Sequence, residues 1–122
     1  MKILKKKNIK ELSKINTPYG SVVTFFDDRD FPFSDMTVGF STLNPLTRQR
    51  INHKFSQFMI YVLKGKCSIE IGNDKITLNP GDITLIPKNC PYKVINDNND
   101  YVKIVYVATP LAKDPRDGHN YL

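Results

Sequence analysis

The chain is poor in the residues that most often carry chemistry. It has no tryptophan, two cysteines and two histidines among 122 residues. Two histidines exclude a three-imidazole metal site within one subunit. Two cysteines without a CxxC neighbour exclude a zinc ribbon and a disulfide framework. No apolar run approaches the ~18 residues of a membrane span. The basic start, Met1-Lys2-Ile3-Leu4-Lys5-Lys6-Lys7, is not followed by the ~7–15 apolar residues of a secretion signal. Helical periodicity is almost missing: only Asn8 to Lys14 reads as a turn or two of helix. There is no Gly-rich phosphate loop, no GxSxG elbow and no HExxH pair.

What is present is an ordinary globular composition, 40 % hydrophobic and 25 % charged, enough for one domain with its own core. The net charge of +6 raises the question of nucleic acid. The lysines cluster at the start and are otherwise scattered beside asparagines, which reads as solvated surface, so no nucleic-acid or membrane partner is expected. With reduced thiols the expected compartment is cytoplasmic. Cys67 reads as a small buried apolar residue, and Cys90 as a loop thiol beside Pro91. Asp27, Asp28 and Asp30 read as a solvated acidic turn, and His119 as part of a polar tail.

Proline and glycine punctuate short β-branched and aromatic runs throughout. Gly20 to Phe26, Met36 to Thr42, Leu46 to Asn52, Gln57 to Leu63, Cys67 to Ile71, Lys75 to Leu78, Ile83 to Ile86, Tyr92 to Ile95 and Val102 to Val107 all read as strands. Asn79-Pro80-Gly81-Asp82 places Pro and Gly at the centres of a type II turn, which needs positive φ at the second. Strands this short and this regularly spaced predict an all-β sandwich or barrel.

The stretch from Leu46 to Pro110 resembles the cupin family, small double-Greek-key jelly-roll barrels also described as a double-stranded β-helix. The family's second motif (Gly, five residues, Pro, one, Gly, two, His, three, Asn) falls on Gly81, Pro87, Asn89, Tyr92 and Asn96. Tyr92 thus replaces a metal-ligating histidine. The first motif is His-x-His, three or four residues, Glu, six residues, Gly. Counted back from Gly65, it puts Phe58 at the glutamate, with His53 as the second histidine and Ile51 as the first. A shorter loop would instead make His53 the first histidine and Phe55 the second. Either register leaves one of the family's four metal ligands, so the expected metal and cofactor are none.

Period-two alternation anchored on these motifs predicts an inward set of Gln49, Ile51, His53, Phe58, Ile60, Val62, Tyr92, Val94 and Asn96. Gln49, Ile51, His53, Phe58, Ile60, Tyr92 and Asn96 are the candidate ligand-binding residues, an apolar cup with a few polar groups. His53 and Tyr92 are also the candidate catalytic pair, since an imidazole titrates near neutral pH. Arg48 and Arg50 have the opposite parity and face outward.

The resemblance supports several functions. The first is a stand-alone barrel that binds or senses a small organic molecule without a metal. The second is a metal-independent isomerase or epimerase using His53 and Tyr92 as acid and base across the cup. A third is a metal enzyme with unusual ligands, His53 with Gln49, Gln57 or Tyr92. A fourth is a sensor module like those of sugar-responsive transcription factors. The resemblance also implies a homodimer. The expected organisation is an N-terminal segment over 1–20, exchanged between partners through Met1 to Ile15, a barrel over 21–110 and a tail over 111–122.

Overall fold

The computed structural model describes residues 3–26 and 36–110. The acidic turn at 27–30 and the tail with His119 lie outside the described residues. A five-residue helix, α1 (Lys6–Lys10), is followed by ten strands. These are β1 (Ile15–Thr17), β2 (Gly20–Phe26), β3 (Thr37–Leu43), β4 (Thr47–Ile51) and β5 (Gln57–Lys64), then β6 (Cys67–Ile71), β7 (Asp74–Leu78), β8 (Ile83–Ile86), β9 (Tyr92–Asn96) and β10 (Val102–Thr109). No described helix is long and apolar enough to cross a membrane.

The strands form two antiparallel sheets. One has six strands in the order β1-β2-β3-β10-β5-β8, the other four in the order β4-β9-β6-β7. Adjacent elements in sequence repeatedly land in different sheets, which is the jelly-roll crossing that closes a barrel. The core lies between the sheets. Ile60 and Val62 of β5, Ile104 of β10 and Ile86 of β8 face Ile51 of β4, Val94 of β9 and Ile69 of β6. Each is an alternate residue of its strand, so period two in the sequence becomes inside and outside in the fold.

Turn chemistry sets the corners. Gly81 has φ 92° and the amide of Asp82 donates to the carbonyl of Asn79 at 2.9 Å, the type II turn expected there. Asn89 has φ 55°, so the residue standing at the motif's glycine keeps the left-handed backbone.

One local reading is corrected, and one strand is new. The helix is Lys6–Lys10, not Asn8–Lys14, because the chain turns at Glu11 and Leu12. The three-residue β1, too short to show alternation, pairs Ile15 with Val22 and Thr17 with Gly20 of its own chain's β2.

Candidate functional site

The site is assembled where β4 and β9 meet the start of β5. Ile51 and Tyr92 are Cα partners across the β4–β9 ladder. Two residues beyond Ile51, His53 keeps the inward direction, and the amide of Asn89 donates to its carbonyl at 2.6 Å. The imidazole is 2 % exposed. Its Nε2 shares a 2.5 Å hydrogen bond with the hydroxyl of Tyr92, itself buried at the first position of β9.

Phe58, the first inward residue of β5, lies flat on the imidazole. Ring centroids are 3.5 Å apart and the planes differ by 7°. Tyr106 continues the column behind Phe58, at 5.8 Å and 22°. Its hydroxyl is 3.3 Å from Thr24 Oγ1. Gly39 leaves space for it: a Cβ there would stand 2.7 Å from that hydroxyl and 2.1 Å from the carbonyl of Val23. The glycine is therefore fixed by close approach rather than by its φ.

The column and the facing sheet enclose a cavity of about 50 Å³. That holds roughly three waters, or a ligand of a few heavy atoms unless side chains move. The four-stranded sheet contributes Gln49, Ile51, Tyr92 and Val94, and the six-stranded sheet Phe58, Ile60, Ile104 and Tyr106; His53 closes one wall. Thr17 and Ser41 are also among the lining residues.

Six of the seven candidate binding residues therefore come together. The seventh, Asn96, does not reach the cavity. It is 0 % exposed and its amide is spent on neighbouring backbone and on the Asn98 side chain, whose Nδ2 donates to its Oδ1 at 2.9 Å. Nδ2 donates to the carbonyls of Leu43, Asn44 and Asp100 at 3.0–3.3 Å, and Oδ1 accepts from the amide of Asn98 at 3.0 Å. Asn96 pins the β3–β4 and β9–β10 connections together. His53 and Tyr92 meet as one bonded pair, not as two groups separated by the width of a ligand. Tyr106, Ser41 and Thr17 escaped the sequence reading. Alternation along Val102, Ile104, Tyr106 and Ala108 carried the signal for Tyr106. Nothing local marked Thr17, because β1 was not visible.

The two registers of the first motif are also resolved. Ile51 and His53 point inward, while Phe55 is 70 % exposed. Arg48 and Arg50 face outward, and Arg48 pairs with Asp97 at 3.5 Å on the surface. Cys67 is buried, which pushes its thiol up to about 11 and leaves it protonated at neutral pH. Cys90 is half-buried against the core edge.

Residues 41–108 match the cupin domain family. The chain belongs to that family, as a small single-domain cupin. Its solved structural neighbours share the fold at low identity. Ectoine synthase from P. lautus superposes with a TM-score of 0.84 at 15 % identity, covering 100 % of this chain and 90 % of that one. The plu4264 protein of Photorhabdus luminescens gives 0.71 at 16 %, covering 97 % and 92 %. Oxalate decarboxylase from Bacillus subtilis gives 0.71 at 16 %, covering 84 % of this chain and 28 % of that one. No curated protein sequence matches the chain.

A cupin metal requires imidazole and carboxylate donors converging on one point. The residues here do not fit it. Where the motif's carboxylate belongs, the ring of Phe58 covers the face of His53, and Tyr92 occupies its Nε2. Gln57, one of the unusual ligands considered, is exposed on the outer side of β5. Among the described residues no three His, Cys, Asp or Glu side chains gather.

Proposed function

We propose that this barrel binds a small organic molecule in its interior without a metal ion, as a binding or sensing protein. One observation carries the reading: an aromatic ring and a tyrosine hydroxyl have taken the two places around His53 where metal chemistry would need a carboxylate and an imidazole. Because His53 Nε2 is engaged, the group offered to a ligand is the Tyr92 oxygen, with His53 holding it in place. Gln49 and the hydroxyls of Ser41 and Thr17 supply further polar contacts along an otherwise apolar wall. Two free thiols are consistent with a reducing cytoplasm.

The 2.5 Å contact also favours a second reading, a metal-independent isomerase in which the pair acts as one proton-transfer unit. Native mass spectrometry of the purified protein separates the two from each other and from a metal enzyme. An organic mass at up to one per chain, released unchanged, supports binding. Release of a converted product that Y92F abolishes supports turnover. A stoichiometric metal ion, or bare protein with no saturable ligand in a broad metabolite panel, overturns the proposal.

A further inference from the structure

We infer that the interior cavity takes a small uncharged amide, and that Gln49 selects it. The inference rests on the binding reading above and names the chemical class of the ligand.

Two buried carboxamides of the four-stranded sheet differ in what they touch. Asn96 is saturated by neighbouring backbone and by Asn98. Gln49 is 8 % exposed and lines the cavity, and its side-chain amide has no hydrogen-bond partner among the described residues. A carboxamide held at this depth without a protein partner disfavours folding. Its inward neighbours are apolar, Ile51 two residues along β4 and Val94 across the ladder. Packing therefore does not call for a carboxamide at this position, whereas a ligand in the cavity would complete its hydrogen bonds.

The shape of the group selects the complement. A carboxamide presents a carbonyl acceptor and an N–H donor side by side in one plane. A second amide answers both at once: its N–H donates to Gln49 Oε1, and its carbonyl accepts from Nε2. Primary amides and lactams hold their two groups in that arrangement. A ketone answers only the donor. A carboxylic acid answers both only while protonated, and at neutral pH it is an anion.

The walls reject the anion. Among the described lining residues there is no Asp, Glu, Lys or Arg. The one lining side chain able to carry a positive charge is His53, whose Nε2 is turned to Tyr92 and whose face is covered by Phe58. An ion entering here gives up its hydration without gaining a counter-charge. Tyr92 lies on β9 two residues from Val94, so it is the diagonal neighbour of Gln49 on the same inward face. A ligand seated on Gln49 thus has the Tyr92 oxygen one strand over and Ile60 and Ile104 of the other sheet against its remainder. A cavity of about 50 Å³ limits that remainder to a short alkyl chain or a small ring.

The test titrates three probes of one size and shape into the full chain: propionamide, butanone and propionate. Proton–nitrogen correlation NMR follows the backbone and the Gln49 side-chain amide. Propionamide should saturate with a Kd on the order of 1 mM and shift the Gln49 amide. Butanone should bind at least ~10-fold more weakly, and propionate should not saturate. Q49M, apolar and of similar length, should weaken propionamide ~10-fold and leave butanone unchanged, erasing the preference. The comparison of probes on the wild type decides by itself if Q49M misfolds. Butanone binding as well as propionamide, propionate saturating, or a folded Q49M that keeps the preference overturns the inference and leaves the binding reading standing. If none of the three saturates, the inference is overturned as well; an organic molecule that still co-purifies then keeps the binding reading, and bare protein without a saturable ligand removes both.

Discussion

Two buried polar residues of this barrel, Asn96 and His53, both fall on motif positions and have opposite surroundings. Asn96 donates to three backbone carbonyls, accepts from Asn98 and borders no cavity. His53 bonds another side chain, stacks on a third and lines open space. A polar group saturated by backbone holds loops in place. One held by side chains at a cavity wall presents chemistry. Burial alone does not distinguish them, since both are 2 % exposed or less; what their polar atoms touch does.

The sharpest way to break this comparison is to return the motif's carboxylate. F58E removes the ring stacked on His53 and buries a charge among apolar walls, at an expected cost of about 4 kcal/mol. Because the remaining donors are absent, manganese, iron or zinc should not restore the loss in a thermal-shift assay. A metal-dependent recovery of several degrees would mean that the site is a metal centre blocked by one residue.

N96A is next. It removes the amide that ties the carbonyls of Leu43, Asn44 and Asp100 together, the first of these contacts buried, and should cost about 3 kcal/mol, or roughly 10 °C of melting temperature for a domain of this size. The cavity walls are untouched, so ligand uptake by the folded fraction should persist. Loss of uptake at full stability would place Asn96 back in the site.

The buried thiol gives a pH-dependent counterpart. The folded-state pKa of Cys67 is raised from 9.0 to about 11 by desolvation. Below pH 9 both states keep the proton and stability is unaffected. Between pH 9 and 11 the unfolded chain alone ionises, and roughly 2–3 kcal/mol should be lost. Denaturant melts across this window should show the decline in the wild type and a flatter line in C67A. A thiol reagent at neutral pH should label Cys90 before Cys67.

The smallest effect on stability and the largest on function should come from Y92F. Losing one hydroxyl from a buried pair costs about 1 kcal/mol. If the Tyr92 oxygen is the ligand contact, affinity for the co-purifying molecule should fall by about tenfold or more. H53Q, which keeps a polar side chain beside Tyr92, should retain more affinity than H53A. Equal losses in both would make the imidazole a direct contact.

The strands, the turn at Gly81 and the family were legible because each rests on short-range chemistry. β-branched alternation marked β5 and β6, and Pro80-Gly81 marked a positive φ that the fold kept. β1 was not legible, since three residues carry no periodicity and it exists only by pairing with β2. Parity set six of the seven candidates on the walls of one cavity. Asn96 lies away from it because parity gives direction, not depth: it points inward at the end of β9, where the carbonyls of Leu43, Asn44 and Asp100 claim it.

The residues by themselves determined the all-β barrel and the loss of three of the four expected metal ligands, because both follow from residue type and spacing. Only tertiary structure decided what stands in their place. The stacking of Phe58 on His53 and the bond to Tyr92 join β5, the loop after β4 and β9 from two sheets. No local pattern encodes such contacts, since they exist only once the sheets have closed on each other.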